Sequence, residues 1–272
     1  GFELRFEIGG HAASVPRGGG AGHALPQRCV LASGRAPRYL SLVATILTID
    51  AAAALPHLAA GDAVMARIIA SVGDFAMRED GGNPFRSLAR AILYHQLSGS
   101  AAATIFARFL GLFDATAKAE ALRRTDPDWS PLTMPFPEPG AVLALADEQY
   151  RAAGLSRQKT AALRSLATHF ASGELGARAF AEMDDDEVVE HVTRVPGVGR
   201  WTAEMFLMFH LRRANVLPVN DIGINRAIMR QYGLAAMPAP GEVLRVGEAW
   251  RPWATVACWY LWRTEDLRLP VG

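Results

Sequence analysis

The chain has 272 residues and half of its composition is hydrophobic, which is enough to bury a core in one large domain or two modest ones. Its formal net charge of +1 excludes the proteins that hold nucleic acid through a large basic excess alone. The two cysteines, Cys29 and Cys258, exclude a disulfide framework and a four-cysteine iron–sulfur cluster, and they favour a reducing, cytoplasmic setting.

Membrane association is not expected from the hydropathy of the chain. No stretch approaches the ~20 apolar residues that span a bilayer. The apolar run 39–49 is shorter and lies too far into the chain for a secretory signal. We therefore predict a soluble, intracellular protein without a membrane partner.

Residues 1–50 differ in composition from the rest of the chain. No acidic residue occurs from 8 to 49, glycine pairs and prolines interrupt any periodic pattern, and arginines add positive charge. This composition predicts a poorly ordered basic arm. Three origins stay open: an arm that contacts nucleic acid, a cloning remnant or a wrongly assigned start. The first residue, Gly1 rather than Met, favours processing or cloning.

Apolar residues at helical spacing predict helices over most of the chain from 51 to 194. Pro84 fits the first turn of one helix, and Asp184 with Glu187 forms a capping-box pattern that starts another. Five prolines predict an irregular connector at 125–140. The helical segments are 55–72, 84–93, one that follows Gly99, 115–124, 155–170 and 184–194.

A glycine-containing hairpin is predicted at 191–205. Residues 195–203 read Val-Pro-Gly-Val-Gly-Arg-Trp-Thr-Ala, and an apolar helical segment, 201–211, follows. Gly197 and Gly199 allow positive φ and leave no Cβ in the way, so backbone N–H groups can approach a phosphate where the second helix starts. Such a helix-hairpin-helix unit holds a nucleic-acid backbone without reading its sequence.

Asp221 lies 22 residues after Gly199 and directly before a predicted helix, 222–232. The simplest interpretation is an N-cap, because Asp is among the favoured capping residues. The same position suits catalysis, since the positive end of a helix stabilises an ionised carboxylate. A fixed anion can stabilise positive charge that develops in a transition state, and it can orient or deprotonate a water.

The C-terminal part is predicted to form two more helices, 241–250 and 252–263, the second with Pro252 in its first turn. No alternation of apolar and polar residues typical of a β-strand occurs downstream of Asp184, so the predicted fold class is all-α. Too little ordered chain precedes residue 51 to build a substantial N-terminal β domain. We therefore predict one helical domain over 51–272.

The hairpin and the segment 217–223, Leu-Pro-Val-Asn-Asp-Ile-Gly, together resemble the helix-hairpin-helix superfamily of base-excision DNA glycosylases. That superfamily has Leu/Val-Pro-Gly-Val/Ile-Gly-x-x-Thr-Ala in the hairpin and a catalytic Asp at this spacing. The resemblance covers about 84–263. It implies a two-lobed helical fold, with Asp221 as the catalytic residue.

The junction at 94–98 also resembles this superfamily. Taken alone, Gln96 and Ser98 fit polar residues that end one helix and start another. The segment 91–102 nevertheless looks like Ile-x-x-Gln-Gln-Leu/Ile-Ser-x-x-Ala-Ala, with His95 in place of the first Gln. The match implies that Gln96 is the wedge that fills the hole left in the DNA by a flipped nucleotide. The segment 152–159 resembles a Gly-Leu/Ile-Ser-x-x-Lys motif, in which Arg157 and Lys159 either contact phosphate or lie on a solvated face.

For the hairpin, the resemblance implies two binding sites. Gly197, Gly199, Arg200 and Thr202 are the expected contacts to a DNA phosphate. A sodium or potassium ion is expected on the main-chain carbonyls of Thr193, Val195 and Val198. No other cofactor is expected.

Trp201 stands where glycosylases that also nick the strand carry a lysine, and tryptophan cannot form the Schiff base. The resemblance thus implies a monofunctional enzyme that uses water and leaves an abasic site.

Residues 249–254 and 259–263 look like the C-terminal segments of the 3-methyladenine DNA glycosylase II branch. By that match Trp262 lines the base pocket with Trp201, while Met205 stands where a relative has Tyr. Aromatic walls attract an electron-deficient alkylated base.

The predicted function is therefore a monofunctional glycosylase that flips alkylated bases out of double-stranded DNA. Such a base already carries positive charge and needs no acid to leave. We expect a monomer in the cytoplasm, associated with the nucleoid if the source is bacterial. Two alternatives stay open: a non-catalytic DNA-binding module, and a sister glycosylase for uracil or for oxidised or mispaired bases, which Trp201 and the missing cluster cysteines disfavour.

Overall fold

A computed structural model describes residues 46–77, 83–94, 99–113 and 136–267. Within these ranges the chain is helical, and its extended backbone is limited to one isolated β-bridge. The predicted all-α fold class is therefore confirmed. The predicted helix 115–124, most of the connector 125–140, Gln96 and Cys29 lie outside the described residues. No helix within the described ranges is long and apolar enough to cross a membrane.

The helices pack in two groups, which confirms the predicted two lobes. The terminal lobe combines helices from both ends of the described chain: α1 (Ala51–Gly61), α2 (Ala63–Val72), α11 (Ile222–Gln231), α12 (Pro240–Gly247), a 3-10 turn (Glu248–Trp250) and α13 (Ala254–Leu267). The middle lobe contains α3 (Pro84–Tyr94), α4 (Gly99–Leu110), α5 (Pro139–Leu143), α6 (Asp147–Ala153), α7 (Arg157–Ala171), α8 (Ala177–Glu182), α9 (Asp185–Thr193), α10 (Arg200–Met205) and a π-helix (Phe206–His210).

The predicted helix 55–72 is broken into α1 and α2 by Asp62. One oxygen of its carboxylate, Oδ1, accepts hydrogen bonds from the backbone N–H groups of Val64 at 2.8 Å and Met65 at 3.1 Å and so starts α2. The other oxygen accepts from the indole N–H of Trp250 at 3.0 Å and from the hydroxyl of Tyr232. Asp62 thereby ties the beginning of the terminal lobe to its C-terminal half.

Tyr232 is suited to this donor role. Burial first, and then the Asp62 carboxylate, raise the pKa of Tyr232, so the phenol stays protonated and donates its O–H. Trp250 is fully buried, while Trp253 is half-buried.

Residues 46–50, the last part of the predicted arm, are held against the folded domain. The N–H of Ala214 donates to the carbonyl of Leu47, and the N–H of Ile49 donates to the carbonyl of Arg212, both at 2.9 Å. Asp50 then caps α1 by accepting from the N–H of Ala53 at 3.2 Å. Residues 1–45 lie outside the described part of the chain.

Local sequence signals set several helix ends correctly. The capping box of α9 is present, with both of its hydrogen bonds between Asp184 and Glu187 at 2.8 Å. The start of the last helix was predicted wrongly, because Pro252 lies in a turn and α13 begins at Ala254. The predicted helix 241–250 corresponds to α12, which ends at Gly247, and to the 3-10 turn that follows it.

The loop that leads toward Asp221 is fixed by Thr255 at the start of α13. Its hydroxyl donates to the carbonyl of Arg213 at 2.7 Å and accepts from the N–H of Val216 at 3.0 Å. The guanidinium of Arg213, itself buried, donates to the carbonyls of Phe180 and Met183 in the middle lobe. The loop is thus attached to both lobes before it reaches the candidate site.

Candidate active site

Asp221 is the N-cap of α11, as predicted. Its Oδ1 accepts a hydrogen bond from the backbone N–H of Ile224 at 2.8 Å, and the side chain is buried. The amide of Asn225, one turn into the helix, donates to the carbonyl of Val219 at 3.0 Å and holds the backbone just before Asp221. The carboxylate therefore occupies one fixed position at a positively polarised helix start.

The two predicted pocket tryptophans both donate to this carboxylate. The indole N–H of Trp201 is 2.8 Å from Asp221 Oδ2, and the indole N–H of Trp262 is 3.0 Å from Oδ1. Trp201 comes from the middle lobe, whereas Asp221 and Trp262 come from the terminal lobe. The structure thus brings three sequence-predicted residues together at the junction of the lobes.

In these contacts the Asp221 carboxylate accepts hydrogen bonds from three N–H groups, one of the backbone and two of indole rings. Hydrogen bonds donated to both oxygens fix the orientation of the carboxylate. A carboxylate held in one position by N–H groups can stabilise positive charge that develops nearby, or polarise a water molecule.

Gly223 makes room for this arrangement. A Cβ at this position would lie 3.2 Å from Asp221 Oδ1 and 3.2 and 3.3 Å from two atoms of the Trp262 indole. These distances are shorter than ordinary carbon contacts. The glycine in the first turn of α11 therefore lets the Trp262 ring approach the carboxylate.

Phe209 is an aromatic residue of the site that the sequence analysis did not identify. Its ring stacks on Trp262, with centroids 5.8 Å apart and an interplanar angle of 21°. It lies in the π-helix that continues α10, and a π-turn of this kind often marks a functional site. Trp201, Met205 and Phe209 follow each other at four-residue intervals, which is the signal that could have found it. Met205 is buried one turn after Trp201.

Glu204 is a second buried acid that the sequence analysis did not place near Asp221. Its Oε1 accepts from Nε of Arg200 at 3.0 Å. Burial raises the pKa of the Glu204 carboxyl, the hydrogen bond and charge of Arg200 lower it, and the nearby charge of Asp221 raises it. The site therefore contains two acids, one held by N–H groups and one paired with an arginine.

The hairpin has the predicted shape. Gly197 has φ +89, and a Cβ there would lie 2.6 Å from the Cβ of Ala162 on α7, so only glycine fits. Gly197, Gly199 and Arg200 are exposed. Thr202 is buried, so its hydroxyl is not offered at the surface, and its predicted phosphate contact stays a prediction for the backbone N–H.

Lys159 has neither of the two predicted roles, a phosphate contact or a place on a solvated face. Its ammonium donates to the carbonyl of Leu93, in the last turn of α3, at 2.7 Å. Burial lowers the pKa of Lys159. The lysine caps a helix C-terminus instead of facing phosphate or solvent. Arg157 on the same helix is exposed.

In the part of the chain that the structure describes, no three His, Cys, Asp or Glu side chains come together as a metal site. Cys258 is a free, buried thiol, and burial raises the pKa of Cys258 well above its ordinary range. The predicted alkali-ion site is different in kind, because it would use main-chain carbonyls.

The chain is similar to known DNA repair proteins. Residues 89–252 match the family described as HhH-GPD superfamily base excision DNA repair protein. The chain is 31% identical to DNA-3-methyladenine glycosylase 1 of Schizosaccharomyces pombe over 214 residues, 78% of this chain and 86% of that protein.

Two solved structures are also similar. One is a 3-methyladenine DNA glycosylase from S. pombe in complex with abasic DNA, with a TM-score of 0.67 and 30% identity, covering 79% of this chain and 97% of that one. The other is a DNA-3-methyladenine glycosidase from Bacillus halodurans, with a TM-score of 0.63 and 30% identity, covering 80% of this chain and 91% of that one.

Proposed function

The chain belongs to the HhH-GPD superfamily of base excision DNA repair proteins, and we propose that it is a monofunctional glycosylase for alkylated purines in double-stranded DNA. The observation that carries the proposal is the Asp221 carboxylate, which accepts the indole N–H groups of both Trp201 and Trp262. The similar S. pombe protein is named as a DNA-3-methyladenine glycosylase, which supports the same substrate class.

Asp221 would act on the sugar of the flipped nucleotide. As the N-glycosidic bond breaks, positive charge develops on the deoxyribose, and a nearby fixed anion lowers the energy of that state. Because its oxygens are already positioned by N–H donors, little reorganisation is needed when the charge appears. The same carboxylate would orient the attacking water or take its proton.

The aromatic side chains around Asp221 fit a cationic leaving base. Trp262 and Phe209 are stacked on each other, and Trp201 approaches the same carboxylate from the other lobe. The faces of aromatic rings attract cations, with a contribution of about 0.5–2 kcal/mol per contact. An N-alkylated purine already carries positive charge, so it can leave without a protonating acid.

We propose that the enzyme has no strand-nicking activity. Trp201 stands where the resemblance places a Schiff-base lysine in glycosylases that nick the strand. An indole nitrogen is not a nucleophile toward the opened sugar, and here its N–H is directed at Asp221. Water is then the nucleophile and an abasic site the product.

The hairpin would hold the DNA backbone next to the site. Gly197, Gly199 and Arg200 are exposed there, and the backbone N–H of Thr202 is in the first turn of α10. We propose that the active unit is a monomer. We propose that it works wherever the chromosomal DNA lies, in the cytoplasm if the source is bacterial.

We further propose that a sodium or potassium ion binds to the main-chain carbonyls of Thr193, Val195 and Val198. These are neutral oxygen donors, which suit a hard cation. The carbonyl of Val195 accepts one hydrogen bond, from the N–H of Val198 at 3.0 Å, and keeps a second lone pair. When bound, the ion would supply positive charge on the phosphate-facing side of the hairpin.

Duplexes that carry 7-methylguanine, 3-methyladenine, ethenoadenine or uracil test the substrate class. We expect the protein to release the methylated purines as free bases, identified by chromatography. Borohydride should trap no covalent adduct with DNA, because no Schiff base forms. Release of uracil alone would support a sister glycosylase, and release of no base would support a non-catalytic module. A trapped adduct would refute the monofunctional assignment.

Gly223→Ala is expected to lower base release about tenfold without unfolding the protein. The added Cβ would press on Asp221 Oδ1 and on the Trp262 indole, so the ring must move by a few tenths of an ångström. Single-turnover release of 7-methylguanine measures the effect. Gly241→Ala is the matched control, because a Cβ at Gly241 meets no atom within 4 Å and it also lies at a helix start. Equal rates for the two variants would contradict the positioning role of Gly223.

A further inference from the structure

Arg200 and Glu204 form an ion pair with very unequal exposure. They lie one turn apart on α10, with Arg200 Nε 3.0 Å from Glu204 Oε1. The side chain of Arg200 is 62% exposed, whereas that of Glu204 is 8% exposed. A buried anion therefore holds a cation that points out of the protein beside the hairpin.

A second pair with the same spacing lies on the other side of the hairpin and differs in burial. Arg194 and Glu190 approach to 2.8 Å, but their side chains are 63% and 73% exposed. Exposed pairs of this kind are hydrated and mobile and contribute little. Glu204, in contrast, is buried, which restricts the rotamers of its side chain. The Arg200–Glu204 pair is thus the one with a fixed anchor.

The hydrogen bond within the pair determines which N–H donors of Arg200 remain available on the outer side of the guanidinium. Glu204 takes the Nε–H, which lies on the side of the guanidinium nearest the main chain. The terminal amino groups carry four more N–H donors in a planar fork. A fork of this shape binds two oxygens of one phosphate, and holding its inner edge reduces the side-chain entropy lost on binding.

We propose that Glu204 is a positioning residue that directs the terminal amino groups of Arg200 toward a DNA phosphate beside the hairpin. The inference rests on the proposed function, because it presumes that the hairpin faces DNA. It also explains why a carboxylate is buried within a helix at this position. A buried charge is costly unless it is paired, and here the paired group is an exposed cation, not a core residue.

The test is a double-mutant cycle on binding to a duplex that carries a tetrahydrofuran abasic-site analogue, measured over a range of salt concentrations. We expect Arg200→Ala to weaken binding about tenfold and to reduce the salt slope by about 0.9, the loss of one phosphate contact. Glu204→Ala should produce most of the same loss of affinity and most of the same reduction of the salt slope. The double variant should bind no more weakly than Arg200→Ala alone.

Two further variants separate positioning from folding. Glu204→Gln keeps an acceptor oxygen of the same size for Nε of Arg200, so it should restore most of the affinity and salt slope lost in Glu204→Ala. Glu190→Ala removes the exposed acid of the matched pair and should leave binding unchanged. Melting temperatures of all variants show whether a loss of binding follows from loss of folded protein.

Three results would overturn the inference: wild-type affinity in Glu204→Ala, a further loss when it is added to Arg200→Ala, or no rescue by Glu204→Gln in folded protein. Each of them leaves base release by the wild-type protein untouched, so the proposed function would stand. If the wild-type protein neither binds the abasic duplex nor releases a base, the proposed function fails and this inference fails with it.

Discussion

Asp221→Asn should lower the release of alkylated purines by about a hundredfold or more, the size of effect seen when one charge-stabilising group is removed from a transition state. The substitution removes the negative charge that faces the sugar. It also turns one oxygen into an amide nitrogen, which would point its hydrogens at the indole N–H of Trp201 or Trp262. The helix itself should survive, because Asn is as good an N-cap as Asp.

Single-turnover release of 7-methylguanine measures this loss, and binding to abasic-site DNA serves as the test of folding. We expect affinity for the abasic duplex to stay within about threefold, since the phosphate contacts are unchanged. Asp50→Asn is the matched control, because Asp50 also caps a helix but lies at the exposed start of α1. If Asp221→Asn released the base at the wild-type rate, the catalytic assignment would be wrong.

Asp62→Ala is expected to reduce the free energy of unfolding by about 3 kcal/mol. The loss of the cap of α2 contributes about 1 kcal/mol, and the loss of the acceptors for Trp250 and Tyr232 contributes about 1 kcal/mol each. The indole N–H of Trp250 would then be left without its partner in a buried place.

Urea unfolding of Asp62→Ala and of Asp50→Ala provides the comparison. Asp50 makes one capping hydrogen bond at an exposed helix start, so its removal should cost only about 1 kcal/mol. The slope of the free energy against urea should be the same for both variants if each still unfolds in one step. Equal midpoints would show that the contacts of Asp62 to Trp250 and Tyr232 contribute nothing to stability.

The features predicted well from the sequence are those that neighbouring residues determine. The capping box at Asp184 and Glu187, the cap at Asp221 and the glycine hairpin each depend on a few consecutive residues. The break at Asp62 was missed because the Ala-rich pattern runs across it, although Asp is a capping residue. The hydrogen bonds from Trp250 and Tyr232 to Asp62 join residues far apart in sequence, which no local pattern predicts.

The candidate site was predicted as a set of residues but not as a geometry. The resemblance placed Asp221, Trp201 and Trp262 together, and the structure brings them into direct hydrogen bonding. Their donor and acceptor roles depend on how two lobes meet, so spacing alone could not give them. Glu204 was overlooked for a related reason: within an amphipathic helix an acid is expected on the solvent side, and only the packing of α10 shows it to be buried.

The order of the lobes along the chain has a consequence for synthesis on the ribosome. Helices α1 and α2 leave the ribosome before the middle lobe, whereas α13 and the turn at Trp250, against which they pack, leave it after the middle lobe. The middle lobe is made of consecutive segments and can close while translation continues. The apolar surfaces of α1 and α2 therefore stay uncovered while the whole middle lobe is synthesised, and nascent chains of this protein should need chaperone protection at these two helices.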